Sequence, residues 1–434
     1  RGCVRGMRAG LRLMRPLLGA APQGAGAGTA YVALSFAVSG VLTYVFQSLS
    51  ARLLGPAGYG QLALLWSATF LTVQVLWIGA SQTLGGNIAE REARGRDWRP
   101  VLSSVRRMQA LLLACFLLLV AAAFPALSGG LFGGSPALTA AFAAAVAAYA
   151  PEYFRRGVFG GYRQFSRLGL LHVLESASRA ALAAALLLWG AGVWGPALAM
   201  VLAPLVAVAL VRPASPSPPP LREPFSLRRA LGFASPVLLC TALAQAFMNG
   251  GPLLVSLLGG SREQAGLLLA ALILARAPQY VLSPAIAGLL PHASRTLAEN
   301  GPRGLDRFAA RAASLVAAAG LAMVAGVWLF GEPAMRLLYG PGFGAGRDVL
   351  VPLAALAGLY LLCEVVNQAL FARGLGRRAA LGWACGLPVV AACLALPGAG
   401  PVERVARALA AGVLAAALAQ LALYLQARRK DRGR

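Results

Sequence analysis

Apolar runs of about 20 residues recur along almost the whole chain, and they decide what it can fold into. In a helix, about 20 apolar residues cross a hydrocarbon core ~30 Å thick. Twelve runs fit that length: 30–50, 59–86, 105–126, 137–158, 168–189, 193–211, 231–258, 265–290, 309–330, 349–372, 380–397 and 403–426. Inside lipid every backbone N–H and C=O must find a partner, which leaves helices or a closed barrel. The runs are too long for barrel strands and show no strict alternation. The expected fold class is therefore an all-α polytopic membrane protein with twelve transmembrane helices. Composition agrees: 59% of residues are hydrophobic and 12% are charged, about half the charged share of a soluble domain.

The formal net charge of +25 would suggest nucleic-acid binding in a soluble chain. Here the basic residues cluster between apolar runs, which excludes that reading. Of the 39 Lys and Arg residues, only Lys430 is a lysine, a bias that fits GC-rich coding. Alternate connections on one side, with both tails, hold 31 of them. The other side holds 6: Arg52, Arg262, Arg336, Arg347, Arg404 and Arg407. Arg179 and Arg276 fall inside spans. Basic residues favour the cytoplasmic side. The expectation is a multi-pass protein of the cell (cytoplasmic) membrane with both termini cytoplasmic. The basic tail of residues 1–29 resembles a signal n-region, but the run after it is long and lacks an evident cleavage site, so a retained first helix is expected. The six cysteines form no CxxC pair and no His/Cys metal spacing, so neither a disulfide framework, a metal site nor a cofactor is expected.

The chain also contains a copy of itself, displaced by roughly 205–210 positions. "RLLGPAGYGQLALL" (52–65) meets "SLLGGSREQAGLLL" (256–269), and "GGLFGGSPA" (129–137) meets "RLLYGPGFGAG" (336–346). "NIAEREARGRDW" (87–98) meets "TLAENGPRGLDRF" (296–308), and two later landmarks keep the same order. Six helices repeated twice give parallel copies related by an axis along the membrane normal. The expected domains are a basic tail (1–29), a six-helix lobe (30–211), a Pro-rich cytoplasmic linker (212–229), a second lobe (230–426) and a basic tail (427–434). Two such lobes suggest a transporter with its site at the repeat interface.

Polar residues recur on the helix faces that would meet there. Ser35, Ser39, Thr43 and Gln47 follow every four residues in span 1, as do Thr241, Gln245 and Asn249 in span 7. Residues four apart share a helix face. Span 2 adds Gln74; span 8 adds Arg276, Gln279 and Ser283, with Pro278 and Pro284 expected to bend it. Small polar residues also glue membrane helices together, and that alternative stays open for the Ser and Thr positions. A charge in a span is costly, so Arg276 reads either as an anchor for an anionic group or as a structural partner of an acid such as Glu364. His172, Glu175 and Arg179 form one stripe in span 5, in which Glu175 and Arg179 can neutralise each other; a proton relay through His172 and Glu175 is the other reading. Glu364 shares a face with Asn367 and Gln368, as a coupling carboxylate or a packing cluster. Arg52 is expected to snorkel to lipid head groups at the outer interface.

The stretches "ARLLGPAGYGQLALL" (51–65), "LLPHASRTLAE" (289–299), "LLYGPGFGAGRDVLVPLAALAGLYLL" (337–362) and "NQALFARGLGRRA" (367–379) resemble the polysaccharide-biosynthesis, or oligosaccharide flippase, family. These are O-antigen-type members of the multidrug/oligosaccharidyl-lipid/polysaccharide exporter superfamily, and the resemblance runs over about residues 30–426. It implies a V-shaped MATE-like transporter whose central cavity is bordered by spans 1, 2, 7 and 8. The implied substrate is a polyprenyl-diphosphate-linked glycan, moved to the outer leaflet by alternating access. The implied partners are that glycan, membrane lipids, a coupling H⁺ or Na⁺, and other polysaccharide-assembly proteins, with no nucleic acid. No GxxxxGK[ST] phosphate loop occurs, which argues against ATP hydrolysis in this chain. Two relatives share the fold. A multidrug exporter would call for acidic groups in spans 1, 2, 7 and 8, which hold none. A lipid II flippase is expected to have fourteen spans and several cavity arginines. A glycosyltransferase would need acidic or His groups on a large outer loop, and the outer loops here are short, so an enzyme is not expected.

Overall fold

The computed structural model describes residues 25–432 apart from 215, 222, 281, 283–285 and 287–288. The expectations for residues 1–24, for Ser283 and Pro284 and for residues 433–434 lie outside the described residues. Helices account for nearly all of the chain. The principal ones are α1 (Ala25–Ala93), α2 (Arg99–Ala122), α3 (Pro136–Gly161), α4 (Phe165–Leu188) and α5 (Trp194–Leu210). They continue with α6 (Leu227–Asn249), α7 (Gly251–Leu257), α8 (Arg262–Ala275), α9 (Leu289–Tyr339) and α10 (Arg347–Ala372). α11 (Gly376–Ala384), α12 (Gly386–Ala395) and α13 (Pro401–Arg432) complete the chain.

Among the described residues, seven helices are long and apolar enough to cross a membrane, or nine if two bent pairs each count as one span. α1 is 69 residues long, about 100 Å at 1.5 Å per residue, far more than one crossing needs. Its continuity is broken at Gly55, with φ 67° and ψ 178°. That region of backbone space is open to glycine and costly for other residues. Pro56 follows and starts the second half, where its missing N–H costs nothing. α9 repeats the device: Gly301 has φ 65° and precedes Pro302. The chain thus uses the same dipeptide twice to break a long helix. A third break lies at Gly250, where α6 and α7 bend by 63°. Serine caps open two further helices: Ser135 accepts from the Leu138 N–H at α3, and Ser261 forms a capping box with Gln264 at α8, each satisfying N–H groups that a helix start leaves free.

α3 and α4 pack on α1, and α5 packs on both of them. α9 packs on α10, α10 on α13, and α11 on α6 and α13. α1 also packs against α6 and α8, and this contact frames the site described below. The described residues of 211–226 run without helix, as their prolines dictate. They are pinned to the end of α1: Arg91 donates to the Glu223 carbonyl at 2.6 Å, Arg96 pairs with Glu223 at 3.1 Å, and the Asp97 N–H donates to the Leu221 carbonyl at 2.8 Å. At the same end of the bundle, Asp306 gathers Arg373 and Tyr424 at 2.7 Å each and Arg428 at 3.0 Å.

The opposite end, which carries Gly55, is closed by contacts between α1 and the second half of the chain. Arg52 Nε donates to the Leu338 carbonyl at 3.0 Å, and another of its nitrogens donates to the Leu337 carbonyl. Arg52 is exposed there, and it holds the last carbonyls of α9, which a helix leaves unpaired and partly negative. Ser48 donates to the same Leu338 carbonyl. In return, Arg262 of α8 donates to the Gly133 carbonyl at 2.8 Å. Gly60 sits so near the Arg262 carbonyl that a Cβ there would collide with it.

Candidate functional site

Polar side chains converge where α1, α3, α4, α6 and the segment after α8 meet. They line a cavity of about 280 Å³. The first half of α1 supplies Phe36, Ser39 and Thr43; the second half supplies Trp66, Phe70 and Gln74. α3 supplies Tyr149, Tyr153 and Arg156, and α4 supplies His172, Glu175, Ser176 and Arg179. Gln245, Met248 and Asn249 come from α6, and Arg276, Gln279 and Tyr280 follow α8. On each helix the spacing is three or four residues, so one face of each helix is presented.

The charges divide into paired and unpaired. Arg179 Nη1 lies 2.5 Å from Glu175 Oε1 and donates to Tyr149 Oη at 3.1 Å, and Arg179 Nη2 donates to Thr43 Oγ1 at 3.1 Å. The Tyr149 hydroxyl also donates to Glu175 Oε1 at 2.6 Å. The Arg179 guanidinium lies 5.5 Å from the centre of the Phe46 ring, 5.1 Å from Trp66 and 5.7 Å from Phe70, a cation–π setting. Arg156 pairs with Glu152 at 2.6 Å and lies 4.3 Å from the centre of the Tyr153 ring. The Tyr153 hydroxyl donates to Gln74 Oε1 at 3.0 Å. Arg276 differs from both. It ends α8, and among the described residues it donates to the Met248 carbonyl at 3.1 Å. Among the described residues it has no carboxylate partner, so the pairing with Glu364 does not occur. A guanidinium carries five N–H donors, and most of these remain free to meet a ligand. Gln279 Oε1 is buried without a partner beside it, while Asn249 donates to Gln245 Oε1 at 2.9 Å.

The structure gathers Thr43, Gln74, Gln245, Asn249, Arg276 and Gln279 with His172, Glu175 and Arg179. It leaves out Gln47, which is fully buried and accepts from the Tyr59 hydroxyl at 2.9 Å. Gln47 fastens the two halves of α1 together near Gly55 instead of lining the cavity. Glu364 is also left out of the lining; it accepts from Asn367 at 3.1 Å, and Asn367 meets the Gln420 amide at 2.9 Å. Residues of spans 1, 2, 7 and 8 line the cavity, and its paired charges come from α3 and α4. Arg156 and the aromatic residues of α3 escaped the reading of the sequence. The signal was present: Glu152 and Arg156 have the same four-residue spacing as Glu175 and Arg179.

Comparison with known proteins adds the lineage. The polysaccharide biosynthesis protein family matches residues 25–297, well over half of the chain. The fold is similar to an inward-facing multidrug resistance MATE family transporter of the MOP superfamily, at 16% identity over 93% of this chain and 98% of that one, with a TM-score of 0.72. The outward-facing form of such a transporter gives 0.64 at 16% identity over 94% and 96%. A MOP superfamily transporter from Pyrococcus furiosus, described as having a binding pocket of reverse polarity that suggests a different function, gives 0.67 at 15% identity over 93% and 96%. No curated protein matches the chain significantly. At these identities the structural likeness shows the fold alone, and the family match adds descent: this chain belongs to the polysaccharide biosynthesis protein family.

Proposed function

We propose that this membrane transporter is a flippase that moves a polyprenyl-diphosphate-linked oligosaccharide across the cytoplasmic membrane by alternating access. In this reading the chain crosses twelve times, as two parallel six-helix lobes (30–211 and 230–426) joined by the 212–229 linker. Both termini and the linker are cytoplasmic, and the Gly55 end faces outward. The observation that carries the proposal is Arg276, a cation without a carboxylate partner among the described residues, in a cavity of amides and aromatic rings where the two halves meet. A sugar-diphosphate head group cannot cross hydrocarbon unaided. It needs hydrogen-bonding groups for the sugar and a guanidinium, which fits phosphate oxygens two at a time. Gln245, Asn249, Gln279 and Gln74 supply the first need; the polyprenyl tail stays in lipid. Export of a cationic drug suits the cavity less, because its one lining carboxylate, Glu175, is already neutralised by Arg179. His172 and Glu175, which line the cavity, are the groups placed to couple transport to H⁺ or Na⁺.

The test is Arg276→Ala in cells whose surface glycan depends on this protein. The expected result is loss of translocated lipid-linked sugar with normal amounts of membrane-inserted protein. Normal translocation would remove the anchor role. For orientation, a cysteine at position 218 should resist a membrane-impermeant reagent added from outside; efficient labelling would reverse the topology.

A further inference from the structure

α3 has a second face. Tyr149, Tyr153 and Arg156 look into the central cavity. Ala150, Pro151, Phe154, Arg155 and Val158 point the other way, into a separate recess of about 490 Å³ bounded by α2 and by Val208 and Pro213 at the end of α5. The recess is amphipathic along its length. Ala110, Leu113, Ala150 and Val158 make apolar walls, and no Asp or Glu lines it. Arg106 and Arg155 stand at the end nearest the linker.

The two arginines are held differently. Arg106 is exposed, with its guanidinium 5.5 Å from the centre of the Phe154 ring. One terminal nitrogen of Arg155 donates to the carbonyls of Val208 and Val211, which fixes the guanidinium and leaves its other N–H groups available. Among the described residues neither makes an ion pair. From Arg106 to Leu113 is seven residues along α2, or ~10 Å into the bilayer. A cationic mouth above an apolar slot matches one kind of molecule, an amphiphile with an anionic phosphate head. Basic pockets between membrane helices bind anionic lipids in this way.

We propose that this recess is a binding site for an anionic glycerophospholipid. The phosphate sits on Arg106 and Arg155, and an acyl chain runs along Phe154 and Leu113. The bound lipid lies directly behind the α3 face that carries Arg156 and Tyr153, so it braces one wall of the central cavity. The proposal does not depend on what that cavity transports.

The experiment uses the full chain purified in a neutral detergent. It is incubated with phosphatidylglycerol, phosphatidylcholine of the same chains, or a polyprenyl phosphate, and bound lipid is counted by native mass spectrometry. Phosphatidylglycerol should be retained about tenfold better than phosphatidylcholine. Arg106→Gln should weaken phosphatidylglycerol about fivefold and leave phosphatidylcholine unchanged, the factor expected for one arginine near an anionic head group. Ala110→Trp, which fills the slot without altering charge, should abolish retention. Both positions are exposed, so both variants should melt like the parent protein without added lipid. Equal retention of the two phospholipids, preference for polyprenyl phosphate, or unchanged binding in Arg106→Gln or Ala110→Trp would each overturn the assignment.

Discussion

Arg52 of α1 holds the carbonyl of Leu338 at the end of α9, 3.0 Å away, and Arg262 of α8 holds the carbonyl of Gly133 ahead of α3 at 2.8 Å. Each half of the chain thus extends one arginine to the other half. The two acceptors occupy matching stretches of the internal repeat, "GGLFGG" and "RLLYGP". The closed Gly55 end is a reciprocal clasp made of arginine-to-carbonyl bonds running both ways.

The alternating access proposed above would require this clasp to open. Arg52→Ala combined with Arg262→Ala removes three charge-assisted bonds and should shift the closed-to-open ratio at least about tenfold. Spin labels at Leu53 and Leu337, both exposed, should report a longer and broader distance distribution. An unchanged distribution would show that the arginines do not hold the end shut.

Gly60 makes a complementary prediction. A side chain there meets the Arg262 backbone, which cannot move aside without unwinding the start of α8. Gly60→Val should hold the Gly55 end open by the same spin-label measurement, and transport should fall. Closure as in the parent protein would refute the contact.

The Glu175–Arg179 pair is a stability prediction. Removing one member of a buried pair leaves an uncompensated charge and typically costs about 3–5 kcal/mol. Arg179→Ala should lower the unfolding temperature in detergent sharply, and adding Glu175→Gln should restore part of the loss. Equal melting of Arg179→Ala and the parent protein would contradict the network drawn here.

Gln47 and Glu364 are predicted to be structural. Gln47→Ala leaves the Tyr59 hydroxyl unpaired in a fully buried place and should cost about 1–3 kcal/mol of stability before it affects substrate. Glu364→Gln should keep transport. A transport defect in Glu364→Gln at normal expression would return Glu364 to the coupling route.

These two residues show where the sequence stops being informative. Thr43 and Gln47 are four residues apart and belong to one stripe. Helical spacing identifies the face but not what covers it. The chain reverses at Gly55 and brings Tyr59 back over Gln47, while Thr43, one turn deeper, meets Arg179. The break itself was legible, because a glycine followed by proline has few other uses inside an apolar run. So were the polar amides of spans 7 and 8, where the covering element is the cavity. The contribution of α3 was not, because Glu152 and Arg156 sit next to the basic cluster at the end of a span and read as part of it. The hydrogen bonds of Arg52 were not legible either. Its partners are backbone carbonyls 285 and 286 positions away, and carbonyls have no signature in sequence.

The turns at the Gly55 end have a consequence for handling the protein. One residue joins the halves of α1, four (258–261) join α7 to α8, and seven (340–346) join α9 to α10. Chain this short and this firmly tied offers little for a protease to thread or an antibody to grasp. Affinity tags, cleavage sites and epitopes belong at the other end, in residues 216–220, between the contacts that hold Ala214 and Leu221.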